Sequence, residues 1–186
     1  MDNHFYSERD DRKYYTAGAG KPPIFAQAII DKKCVKDYDF FALTDTYIDW
    51  SKEDDWERLE PLIDFLATWG DELIMSFDDM MSELLYQIDT YQIAKAAYKK
   101  EKYISYRDFL PNRCIALING KSYYTKVLKR RTSLKCDREF SAILEVPRIA
   151  WSRRHKVPLE QYNHITSYKI ESRSNVAGWE DEIAQS

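Results

Sequence analysis

Glycine and proline are scarce in this chain, five and six among 186 residues. An all-β sandwich or barrel needs a turn about every 8–12 residues, and the residues that make such turns are largely missing. No apolar run approaches the roughly 18 residues of a membrane-crossing helix. The opening Met1-Asp2-Asn3-His4-Phe5-Tyr6 lacks the apolar stretch of a secretion signal. Cys34, Cys114 and Cys136 are widely spaced with no C-x-x-C pair. That argues against a zinc ribbon or dithiol redox motif and suits a reducing cytoplasm. Cys114 stands in Cys114-Ile115-Ala116-Leu117-Ile118 and reads as a small buried hydrophobe.

Chemistry-bearing motifs are missing too. His4, His155 and His164 have no H-x-x-x-H or H-E-x-x-H spacing, so no metal site is expected. There is no G-x-S-x-G nucleophile elbow. Gly18-Ala19-Gly20-Lys21 invites a phosphate-loop reading, but the full motif is absent and Pro22-Pro23 blocks a following helix. Asp54-Asp55 and Asp78-Asp79 are adjacent carboxylates, and neighbours on a helix point about 100° apart, which makes a poor acid–base pair. Glu171, Ser174 and Asn175 read as a polar tail loop. The expectation is a protein that is not an enzyme and needs no cofactor.

What the chain has is divided charge. The net charge of −3 hides 16 acids and 2 bases (−14) over 37–89, against 17 bases and 5 acids (+12) over 95–156. Either the two halves pack and neutralise each other, or one face steers a charged partner.

The apolar periodicity is helical. Phe40, Phe41, Leu43, Thr44, Tyr47 and Ile48 recur at three- and four-residue steps. Ser51 with Asp54 predicts a helix start by the capping-box pattern. Leu59, Leu62, Ile63 and Leu66 follow, with Pro61 predicting a kink or a start near Glu60, and Gly70 a stop. Leu73, Ile74, Phe77, Met80, Met81, Leu84, Leu85 and Ile88 make the clearest amphipathic helix. A short helix over 91–99 follows. Ser105 with Asp108 predicts one helix running through Asn119-Gly120 to Leu128, the glycine serving close packing. Asp137 is expected to cap a last long helix holding Phe140, Ile143, Leu144, Ile149, Ala150 and Trp151, with Pro147 inside. The fold class is all-α, an irregular single-domain bundle of five to seven helices. The expected organisation is an N-terminal arm (1–36), a helical domain (37–160) and a tail (161–186) that packs on or extends from the domain.

Three stretches carry a family resemblance: Asp39-Phe40-Phe41-Ala42-Leu43, Phe77-Asp78-Asp79-Met80-Met81-Ser82-Glu83-Leu84-Leu85, and Asp108-Phe109-Leu110 leading to Arg113-Cys114-Ile115-Ala116-Leu117-Ile118-Asn119-Gly120-Lys121-Ser122-Tyr123-Tyr124. Over roughly 37–160 the chain resembles a bacterial family, domain-of-unknown-function family four-two-four-zero. The resemblance implies an all-α cytosolic bacterial protein. It also suggests the neighbourhood of toxin–immunity gene pairs.

On this basis the sequence predicts a toxin-neutralising immunity protein that binds a cognate toxin through a charged helical face. The docking residues expected are Tyr47, Asp49, Trp50, Glu53, Asp54, Asp55, Trp56 and Glu57, aromatic anchors ringed by carboxylates. The alternative is a nucleic-acid-binding or small-ligand-binding regulatory domain. Its basic face would be Lys126, Lys129, Arg130, Arg131, Arg153 and Arg154, with Tyr123, Tyr124 and Trp151 for stacking. The pI of about 5.7 counts against that alternative.

Overall fold

Where the helices start and stop follows from side chains that cap them. The computed structural model describes residues 39–101, 103–135 and 139–183. The expected arm (1–36), Cys34, Cys136 and the expected cap Asp137 lie outside those residues. Asp39 caps α1 (Phe40–Tyr47), its carboxylate accepting the Phe41 N–H. Asp54 caps α2 (Asp55–Trp69), accepting from the N–H groups of Trp56 and Glu57. The cap is therefore Asp54 and not Ser51. Ser51 instead donates its N–H and hydroxyl to Asp49 in the preceding turn. Pro61 sits inside α2, and the helix begins six residues before it rather than near Glu60.

Gly70, at φ 126°, ends α2 and starts α3 (Asp71–Gln87) in one residue. An L side chain rarely adopts that backbone, so the tight reversal depends on glycine. Thr90 caps α4 (Tyr91–Ala97), and Ser105 caps α5 (Tyr106–Ile118) as the sequence predicts, accepting the Asp108 N–H. The predicted run through Asn119-Gly120 is interrupted. α5 stops at Ile118 and α6 (Gly120–Leu128) restarts at Gly120, which takes φ 81°. The dipeptide is the turn it resembles, because a left-handed glycine breaks the hydrogen-bond ladder. The expected last long helix is also split, into a 3-10 turn (Ser141–Glu145) and α7 (Val146–His155). Pro147 forces the split: its ring clashes with the carbonyl of residue 143 in a continuous helix, but is welcome in a first turn. Two further 3-10 turns (Leu159–Gln161, Val176–Trp179) and α8 (Glu180–Ile183) complete the chain order. The described residues are all-α, as expected. The two splits and the short α8 bring the α-helices among them to eight.

α5 is the central element. A helix apolar on one stripe lies at a surface, whereas one buried all round lies inside. Phe109 and every residue from Asn112 to Ile118 are buried. The helix packs against α1 and α3, and the core holds Phe40, Phe41 and Leu43 of α1, Leu73, Ile74, Phe77, Met81 and Leu85 of α3, and Leu59, Leu62, Ile63 and Leu66 of α2. Met80 and Leu84, expected in the core, are half-buried at its edge. Phe40 stacks on Phe77 with ring centroids 4.8 Å apart. Cys114 is buried as expected, and burial pushes its thiol up to about 12. α2 and α7 form the most extensive helix pair.

The tail packs on the domain. Asp89, fully buried at the end of α3, is its seat. Its two carboxylate oxygens accept the N–H groups of Arg173 (3.1 Å), Asn175 (3.1 Å) and the Trp179 indole (3.1 Å). Beneath them lies the fully buried Arg113, its guanidinium 3.7 Å from Asp89. Arg113 donates to the carbonyls of Leu85 (2.8 Å) and Ile170 (2.7 Å) and lies over the Phe109 ring. A buried charge is tolerable only when paired and hydrogen-bonded, and this one ties α3, α5 and the tail together. Gly178 completes the seat: a Cβ there would come within 2.9 Å of the Asp89 carbonyl oxygen.

Candidate functional site

The N-terminal end of α2 and the turn before α7 enclose an acidic cleft of about 610 Å³. Glu53, Asp54, Asp55 and Trp56 line it from one side, and Glu139, Ser141, Ala142, Leu144 and Glu145 from the other. Five carboxylates and no base face this space. Asp55 in the first turn also favours α2 itself, because a helix N-terminus carries about half a positive charge. Glu139 and Glu145 come from a segment more than 80 residues away, and no helix-start rule requires them at this place.

The cleft has one aromatic on its rim. Trp56 is 46 % exposed and is the most accessible tryptophan among the described residues. An exposed indole ringed by charge matches the anatomy of an interface anchor. Local bases answer only part of the acidity. Arg58 pairs with Asp55 at 2.7 Å and donates to the Lys52 carbonyl, and Arg148 pairs with Glu145 at 3.0 Å. Both pairs are partly exposed, where such contacts are weak.

The other predicted docking residues divide. Glu57 is exposed on α2 beside the cleft. Tyr47 instead stacks on Phe65 with centroids 4.0 Å apart, and its burial raises the phenol. Trp50 is half-buried against Phe140, with the Arg58 guanidinium 5.8 Å from its ring centre. Asp49 organises its own turn: hydrogen bonds from Ser51 hold its carboxyl below the usual range, and its N–H donates to the Arg58 carbonyl. Tyr47, Asp49 and Trp50 therefore do not line the cleft. Glu139 and Glu145 carry no sequence signal for this place, because they sit in the basic half of the chain.

The basic set divides as well. Arg153 forks onto Glu60 (2.8 and 3.1 Å) and also pairs with Asp64 of α2. These carboxylates raise its already high pKa. Arg154 pairs with Asp71 (3.1 Å) and donates to the carbonyl of Ala67, at the end of α2. His155, exposed at the end of α7, meets Asp71 at 2.9 Å. Arg153 and Arg154 are therefore tied into the α2–α7 seam and do not continue a basic face. Lys126, Lys129, Arg130 and Arg131 are exposed at the end of α6 with no ion pair among the described residues. A second cluster binds the tail to α3: Tyr162 donates to Asp78 at 2.8 Å, and His164 lies 3.3 Å from Asp79. Burial raises the Asp78 carboxyl, an effect the Tyr162 hydrogen bond opposes.

Among the described residues, no group of three His, Cys, Asp or Glu could hold a metal ion. Among them also, no helix is long and apolar enough to cross a membrane. No curated protein and no solved structure matches the chain. A family model does match, over residues 35–167, its description reading "Protein of unknown function (DUF4240)". Its span takes in the helical core and the cleft, and it ends before the Arg173–Trp179 seat. With most of its length matched, the chain belongs to the DUF4240 family.

Proposed function

We propose that this is a cytoplasmic immunity protein, a rigid non-enzymatic binder that neutralises a basic protein toxin docked in the acidic cleft. The observation that carries the reading is the cleft itself: five carboxylates from two remote segments, no lining base, and an exposed Trp56 at the rim. A basic partner would be steered by the field and held by the indole, which calls for charge and stiffness and no bond chemistry. The ion pairs that α7 makes with α2 and with the start of α3 support the choice of surface, because they withdraw Arg153 and Arg154 from any nucleic-acid face.

The test is a pull-down from host lysate after nuclease treatment, at low and high salt, with wild type, W56A and the Glu53→Lys, Glu139→Lys double variant. The expected result is one protein partner with a basic surface, recovered less at high salt and lost from both variants. That partner, expressed alone, should stop growth, and co-expression of this chain should restore it. A partner retained equally by both variants, or nucleic acid that washes off with salt, contradicts the reading.

A further inference from the structure

The end of α6 holds a feature that neither helix packing nor the acidic cleft requires. The chain leaves α6 through Lys129-Arg130-Arg131-Thr132-Ser133-Leu134 and encloses a pocket of about 200 Å³. Its floor is apolar: Ile93 of α4, Val127 of α6 and Leu134 are all buried. Its rim is Arg130, Arg131, Thr132 and Ser133. The Ser133 hydroxyl donates to the Ala96 carbonyl and so joins the rim to α4.

The rim holds a left-handed arginine, a conformation that Lys156 at the end of α7 and Arg173 in the tail also take. Arg131 donates its N–H to the Lys126 carbonyl and Arg130 to that of Val127, both at 2.8 Å. This is the paired C-terminal cap in which glycine normally fills the left-handed position. Arg130 fills it here, at φ 55°. A side chain held where glycine is favoured is a reason to look for function. The result is two adjacent, exposed arginines at the rim of a pocket with an apolar floor. The end of a helix carries about half a negative charge, which disfavours anions. Here the cap bonds engage those carbonyls, and Lys126, Lys129, Arg130 and Arg131 together bring four full positive charges.

We propose that this pocket binds a small organic anion: a carboxylate or phosphate ester whose acid group meets Arg130 and Arg131 while a compact apolar part rests on Ile93, Val127 and Leu134. Guanidinium groups suit both acids because their donors match paired oxygens. The volume suits a single ring, since an apolar cavity of about 150 Å³ holds benzene.

The experiment is a calorimetric titration of the full chain with phenyl phosphate, benzoate, inorganic phosphate and benzyl alcohol. One-to-one binding of phenyl phosphate or benzoate is expected, at least tenfold tighter than either inorganic phosphate or the neutral alcohol. The tighter of the two identifies the acid. Arg131→Gln should weaken that binding about tenfold or more. Arg130→Gly should do the same without lowering Tm, because glycine fits the cap, so its loss of binding cannot be loss of fold. Inorganic phosphate binding as tightly as the organic anions would reduce the site to a bare charge patch and overturn the proposal. So would unchanged binding in both variants, no binding of any probe, or affinity confined to an oligonucleotide.

Discussion

The two ends of α2 are both acidic and meet opposite fates. Toward its C-terminal end, Glu60 and Asp64 face Arg153 of α7, and just beyond it Asp71 faces Arg154 and His155. At the N-terminal end, Glu53, Asp54 and Asp55 face Glu139 and Glu145 across a cleft. The sequence shows only that acids crowd one half of the chain and bases the other. The fold spends part of that asymmetry on a neutralised seam and leaves the rest concentrated at one place on the surface. A charge balance therefore does not choose between internal neutralisation and steering. Both occur along one helix.

Breaking a matched carboxylate should cost stability in proportion to its burial. Asp89→Ala leaves Arg113 buried without its counter-charge and the tail without its seat, so a loss of about 3–5 kcal/mol is expected. Urea denaturation measures it, and protease should then cut the tail first. Arg153→Ala breaks an exposed network and should cost about 1 kcal/mol at most, shrinking further at high salt. A salt-insensitive loss as large as that of Asp89→Ala would mean that the seam, not the buried pair, holds the fold.

Asp78 adds a pH-dependent contrast. Burial raises its carboxyl above the ordinary 3.8. In the window between 3.8 and the raised value the folded chain holds a proton that the unfolded chain has lost. Its contribution to stability is therefore fully present below pH 3.8 and is lost as pH rises through the folded value. Asp78→Asn removes this term. Its Tm relative to wild type should rise as pH increases from 4 toward 7; a difference that is flat with pH would contradict the assignment. The smallest effect is expected in the cleft. Glu53→Gln with Glu139→Gln removes repelling charge and should change stability by under about 0.5 kcal/mol, as surface substitutions usually do.

Much of this was legible in the chain. Apolar spacing placed α3 and the core of α2, and Ser105 and Gly70 marked real boundaries, because caps and left-handed glycines act locally. Sequence and structure differ most where local signals compete. Apolar residues stay in phase across Asn119-Gly120, so spacing alone predicts one continuous helix there. Pro147 lies within an apolar helical period yet sits in the first turn of α7. Of the candidate site, Glu53 to Trp56 was legible as an acidic, aromatic segment at a helix start. Glu139 and Glu145 were not, since they reach the cleft only through tertiary packing. Asp89 was also hidden. It looks like any acid after an amphipathic helix, and its donors Arg173, Asn175 and Trp179 lie more than 80 residues on.

The central claim is that the acidic cleft at the N-terminal end of α2 recruits a basic partner. The most direct measurement is the association rate of the captured partner with wild type and with the Glu53→Gln, Glu139→Gln variant, followed across ionic strength. Electrostatic steering accelerates association by about tenfold or more and fades with salt. The account predicts a wild-type rate that falls steeply with salt and a variant that is markedly slower at low salt, the two converging at high salt. Equal rates for the two proteins at every salt concentration would contradict it.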